Sequence, residues 1–238
     1  MYNSAKGNDS QAKINALRRA NYAKNKDSIN ARKRELYAEQ VYRKDYGAVT
    51  DYTLIKGVKD FSFSARRVES YDSPVLVSDK ATIKPKALNT INQNTEEAMA
   101  EYGIPKDRKP TIVILSDEEI GGSYGAYDAC TNTIYYHQGI AKKEVQDSVG
   151  GPGIIERHET WHLSQAENFR KSSGEITKEN HREYIAETCK RAKASLDRAG
   201  ITFDNVDEIS DYAGARYLAG RYDETEADMM AYRKDKIR

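Results

Sequence analysis

Histidine is scarce in this chain of 238 residues: His137, His158, His162 and His181 are all there are. Two of them stand four residues apart in Ile154-Ile155-Glu156-Arg157-His158-Glu159-Thr160-Trp161-His162-Leu163. That segment follows the break Gly150-Gly151-Pro152-Gly153 and runs without proline to Ser172-Ser173-Gly174, which predicts one helix. Residues four apart share a helix face, so both imidazoles can reach one ion, with Glu159 projecting beside them. Two imidazole ligands and a carboxylate able to activate a bound water are the parts of a catalytic zinc site, one Zn2+ per chain. The competing reading is a pair of surface histidines on an amphipathic helix.

Such a site needs a third protein ligand and an open position for water. The extended pattern with a third histidine does not fit, because its glycine position holds Gln165 and its histidine position Asn168. A carboxylate from a later helix is the remaining route. Asp223-Glu224-Thr225-Glu226-Ala227-Asp228-Met229-Met230-Ala231-Tyr232 carries Glu224 and Asp228 on one face. One of the two can bind the ion while the other accepts a hydrogen bond from a ligand imidazole. Ala227 and Ala231 are small enough for close helix approach. Glu187 and Glu226 are the alternative third ligands, and taken alone the segment reads as an acidic, solvated last helix.

His158-Glu159-Thr160-Trp161-His162 followed by Glu224-Thr225-Glu226-Ala227-Asp228 resembles the gluzincin zinc metallopeptidases over roughly residues 85–235. The resemblance implies His158, His162 and Glu224 as zinc ligands, Glu159 as general base and Asp228 as the carboxylate behind a ligand histidine. It also implies an α+β, zincin-like fold: a small mixed sheet whose edge strand lies on the active-site helix, then a helical subdomain. Gly125 to Tyr136 is similar to that edge strand, along which an extended peptide substrate pairs. A narrower resemblance, to metallopeptidase domains carried with minor head proteins of tailed phages, rests on the layout of the chain and on Ile209-Ser210-Asp211-Tyr212-Ala213. It implies capsid processing or an injected effector, in the host cytoplasm or the virion. Tyr212, Tyr222, Tyr184 and His181 are all open as donors to the substrate oxyanion.

Several elements must position these groups. Residues 85–102 have helical spacing of Ala87, Leu88, Ile91, Ala98 and Met99, stopped by Gly103 and Pro105. Thr111-Ile112-Val113-Ile114-Leu115 reads as a buried strand. Gly125 to Tyr136 reads as a hairpin-like segment, turning at Cys130-Thr131-Asn132 before a strand from Thr133. Val75-Leu76-Val77 reads as a short strand within residues 49–84, a linker of uncertain role. Residues 175–198 read as a charged helix with Ile185, Cys189 and Leu196 as its apolar stripe. The catalytic domain is expected over 85–238.

The charge is segregated. Residues 1–50 hold eleven Lys/Arg against five Asp/Glu, and residues 51–238 hold 27 against 32, so a net +1 joins a +6 arm to a −5 body. The arm, 1–48, repeats itself: Ile14 to Ala23 aligns with Ile29 to Ala38 at an offset of fifteen residues, about four helical turns. It reads as two helices whose Arg18, Arg19, Arg32, Lys33 and Arg34 contact nucleic-acid phosphates or form a wet face that docks on a protein. A non-enzymatic virion protein keeping the fold, or a nucleic-acid binder, is therefore the alternative to a peptidase acting on a protein or peptide. No apolar run is long enough to span a membrane, and the start lacks a signal peptide's apolar stretch. Cys130 and Cys189 form no disulfide framework, so a reducing cytoplasm is expected.

Overall fold

The computed structural model describes residues 52–53, 63–68 and 70–232. The basic arm, with Arg18, Arg19, Arg32, Lys33 and Arg34, lies outside the described residues. Within them the chain is α+β, with one small mixed sheet and seven α-helices.

The strands are β1 (Tyr52–Thr53), β2 (Ala65–Val68), β3 (Val75–Ser78), β4 (Thr111–Leu115), β5 (Gly125–Asp128) and β6 (Thr133–His137), in the spatial order β1-β2-β3-β4-β6-β5. β3, β4 and β6 run parallel, with Leu76 opposite Val113 and Val113 opposite Tyr135. β1, β2 and β5 are antiparallel to their neighbours. The centre is built from β-branched and aromatic residues with both faces covered, as buried parallel strands require. Val75–Ser78, within which the sequence predicts a short strand, and Ala65–Val68, which the sequence does not resolve, therefore supply two strands of the same sheet as β4. β5 forms the edge, joined to β6 by a tight turn in which Asp128 Oδ1 accepts from Cys130 N at 2.9 Å and Thr131 N at 3.1 Å.

The alternation of strand residues sorts the core into two faces. Val75, Val77, Ile112, Ile114, Ile134 and Tyr136 point to the larger core. There they meet Leu88 and Ile91 of α1 (Pro85–Glu101) and Leu163, Ala166 and Phe169 of α4 (Ile154–Ser173). Leu76, Val113, Leu115, Ala126 and Tyr135 form a smaller cluster on the opposite face with Phe63 and Ile120. Ile120 belongs to the short α2 (Asp117–Ile120), which Ser116 and Glu119 cap reciprocally.

α4 is launched by Gly153 at φ +79°, a left-handed conformation that glycine adopts without steric penalty. The short α3 (Lys143–Ser148) precedes it. After α4 come α5 (His181–Arg198), α6 (Asp211–Leu218) and α7 (Tyr222–Tyr232). α5 begins six residues later than the charge pattern suggests, because Asn180 and Thr177 bond each other's backbone and hold 175–180 in a turn. α7 sits at the centre of this helical half and packs against α4, α5 and α6. Among the described residues, no helix is long and apolar enough to cross a membrane.

Candidate metal centre

α4 and α7 bring three ligand atoms together. His158 Nε2 and His162 Nε2 are 3.2 Å apart, and Glu224 Oε2 lies 3.4 Å from each. These are the residues among those described whose donors converge as a metal-sized group. Tetrahedral zinc bonds of about 2.0–2.2 Å place ligand atoms about 3.3–3.6 Å apart, so the triangle, with sides of 3.2, 3.4 and 3.4 Å, is close in size to one face of such a site.

Hydrogen bonds behind the triangle set its chemistry. His158 Nδ1 faces Asp228 Oδ1 at 3.0 Å, and His162 Nδ1 faces Gln165 Oε1 at 2.9 Å. Both partners are acceptors, so each Nδ1 carries the proton and each Nε2 turns a lone pair inward. Two lone pairs and a carboxylate oxygen aimed at one point need a positive charge between them, a metal ion or protons. Glu224 is fixed on its other side, where Oε1 accepts from Arg221 at 2.9 Å, while Oε2 also accepts from Tyr212 Oη at 2.9 Å. Asp228 in turn accepts from Ser210 Oγ, the residue that caps α6.

The titration behaviour of the metal-free chain follows from these contacts. Burial opposes charge on His158, but hydrogen bonds to Asp228 and Glu224 outweigh it and hold the ring up at about 10. His162 is likewise raised, burial being overcome by Glu224. Burial would raise Glu224, yet the two imidazoles drive it well below the usual carboxylate range. Burial, then the Glu224 charge, push the Tyr212 phenol up.

Glu159 is buried and lines the same cleft. It lies against the edge strand: a Cβ built on Gly125 would stand 2.6 Å from Glu159 Oε1. The cleft, about 950 Å³, runs from β5 across the triangle to α6, with Tyr212 and Arg216 on its far wall.

The remaining predicted residues fall on both sides of this line. Tyr184 and His181 line the cleft, Tyr184 buried and His181 5.7 Å from its ring. Tyr222 does not reach the cleft: its ring stacks on Tyr217 and under Lys193 Nζ. Glu187 is ion-paired with Arg191 one turn along α5. Glu226 points to the other side of α7, accepting from Trp161 Nε1 at 3.1 Å and Gln165 Nε2 at 2.9 Å. Neither supplies the third ligand atom, because a carboxylate on α5, or two residues from Glu224 on α7, faces away from the histidines. His137 is held by Asp117 at 2.6 Å, outside the cleft lining. Cys189 is half-buried and donates to Asp223 Oδ1 at 3.1 Å.

Three contributors were not read from the sequence. Gln165 registers there only as a departure from a longer motif, yet its acceptor oxygen orients His162. Arg221 and Ser210 anchor the carboxylates, and no spacing rule marks them. Comparison with protein-family models, curated proteins and solved structures gives no match.

Proposed function

We propose that this chain is a zinc-dependent endopeptidase of the gluzincin type with a zincin-like catalytic domain. The observation that carries the reading is the triangle of His158 Nε2, His162 Nε2 and Glu224 Oε2, with sides of 3.2, 3.4 and 3.4 Å, beside a buried glutamate in an open cleft. His158, His162 and Glu224 would hold the ion, with Asp228 and Gln165 orienting the rings. When bound, zinc would supply Lewis-acid polarisation of a carbonyl and lower the pKa of a bound water toward about 7. Glu159 takes the water's proton and returns it to the leaving amine. Tyr212, already donating next to the triangle, is the group best placed to donate to the substrate oxyanion. β5, the outermost strand on its side of the sheet among the described residues, would offer main-chain hydrogen bonds to an extended peptide.

The test is metal content and cleavage of an unfolded protein by purified enzyme. About one zinc per chain and chelator-sensitive hydrolysis are expected, and Glu159→Gln should keep the metal while losing about 10²–10⁴-fold in kcat. Full hydrolysis by metal-loaded Glu159→Gln would refute the mechanism. Metal binding with no hydrolysis by the wild type would leave a non-enzymatic metalloprotein.

A further inference from the structure

Behind Gln165, which orients the His162 ring, lies a further set of groups that the mechanism above does not use: Glu226, Trp161 and the Asp223 carbonyl. Gln165 is buried on α4, one turn beyond His162. Its Oε1 stands 2.9 Å from His162 Nδ1. Its Nε2 donates to Glu226 Oε2 at 2.9 Å and to the Asp223 carbonyl at 3.1 Å. Trp161 Nε1 donates to the same Glu226 oxygen at 3.1 Å. Two acceptors around the amide nitrogen allow only one orientation of the amide. The oxygen must face His162, and the imidazole must then carry its proton on Nδ1.

We propose that Gln165 and Glu226 act as a positioning relay that fixes the tautomer of His162 for metal binding; this deepens the zinc reading and rests on it. The two histidines are treated differently. His158 is backed directly by a carboxylate, Asp228. His162 is backed by a neutral amide, and the carboxylate stands one bond further out. Glu226 therefore acts on the metal only through Gln165, although it lies two residues from Glu224. The relay also ties the centre of α4 to α7 at the point where Glu224 must arrive, through the Asp223 carbonyl. Outer partners of ligand histidines change metal affinity by about 10–100-fold when removed.

The proposal is tested by cobalt and zinc affinity, measured against a competing chelator, in the wild-type full chain and in Gln165→Leu, Glu226→Leu, Glu226→Gln and the double leucine variant. Gln165→Leu keeps the side chain's size and removes both of its polar ends. A loss of about 10–100-fold is expected, with the metal-free melting curve still cooperative. Glu226→Leu should weaken binding by a smaller factor and add nothing in the Gln165→Leu background, because it acts through that residue. Glu226→Gln retains an acceptor oxygen for both donors and should bind within about threefold of wild type. In the cobalt protein the exchangeable Nδ1 proton of His162 should appear as a slowly exchanging shifted resonance and be lost in Gln165→Leu. An unchanged affinity and resonance in Gln165→Leu overturn the relay. So does an additive loss in the double variant. A wild type that binds neither metal overturns the zinc reading itself, a result distinct from both.

Discussion

Gly125 of the edge strand and Glu159 of α4 meet so closely that a methyl group on residue 125 would stand 2.6 Å from Glu159 Oε1 and 2.8 Å from its Cγ. The carboxylate can lie against the strand only because residue 125 has no side chain. Gly125→Ala should therefore push Glu159 aside while leaving the two histidines and Glu224, on α4 and α7, where they are. Metal content should stay at wild-type level and kcat should fall about 10²-fold, the effect of misplacing a reacting group by an ångström. Loss of the metal together with the activity would show that the strand supports the whole centre and not Glu159.

Glu224 has four claims on it: two imidazoles, Arg221 and Tyr212. Its removal should cost the site a ligand, whereas Glu187, engaged with Arg191, should be dispensable. Glu224→Ala is expected to lower zinc occupancy to near zero at micromolar free metal, and Glu187→Ala to leave it unchanged. Zinc analysis after dialysis decides between them. Retained zinc in Glu224→Ala would assign the third ligand elsewhere.

Tyr212 touches the ligand carboxylate but comes from α6, and Arg216 lies 4.7 Å from its ring centroid. As an oxyanion donor it should matter to the transition state more than to the ground state. Tyr212→Phe is expected to lower kcat about 10²-fold or more with little change in KM and full metal content. Equal kcat in the variant would remove Tyr212 from the reaction.

The charged centre makes the stability of the metal-free chain depend on pH. His158 is raised to about 10 in the fold, against about 6.5 in an unfolded chain. Its contribution is therefore complete below pH about 6.5 and is lost as pH rises toward 10. Glu224 has the opposite sign: its depressed value gives stability above the ordinary carboxylate range that is lost on acidification. The melting temperature of chelator-treated wild type should fall relative to His158→Gln between pH 7 and 10, by more than about 2 °C if 1 kcal/mol is at stake. Zinc holds both rings neutral, so zinc-loaded wild type should lose this fall between pH 7 and 10. A constant difference across that range would contradict the pairing.

What could be read from the sequence was local. Gly150 to Gly153 and Gly174 bracket the active helix on both sides, and the β-branched run 111–115 announces a strand, because glycine and backbone sterics act within a few residues. The i, i+4 spacing likewise put His158 beside His162 and Glu224 beside Asp228. Glu224 was preferred to Glu187 through the Glu-x-x-x-Asp pattern and the small Ala227 and Ala231; spacing alone does not separate them, since both lie in acidic helical pairs, and it is the packing of α7 against α4, α5 and α6 that brings Glu224 to the histidines. β2 was obscured for a similar reason, since a four-residue strand carrying Arg66 and Arg67 gains its meaning from its antiparallel partner β3, whereas Val75 to Val77 was legible as a short strand. Gln165 and Arg157 were missed because their roles depend on what arrives from far along the chain.

Arg157 precedes His158 and is buried. Its Nε donates to the Ala231 carbonyl at 2.9 Å and one Nη to the Met230 carbonyl at 3.0 Å, while the guanidinium pairs with Glu101 of α1. Both carbonyls lie in the last turn of α7, so a positive charge sits at the negative end of that helix. One side chain thus joins α1, α4 and the end of α7 opposite Glu224. Arg157→Met keeps most of the volume and removes the guanidinium from the Ala231 and Met230 carbonyls and from Glu101, although the Met230 carbonyl still accepts from Tyr102 Oη at 3.3 Å. The expected loss is about 2–4 kcal/mol in the metal-free chain, read as a lowered urea midpoint. Because metal binding draws on the same docking of α7 against α4, saturating zinc should recover part of the loss. A variant as stable as wild type would mean that α7 is held in place by its apolar contacts alone, through Ala227 and Ala231, which are fully buried.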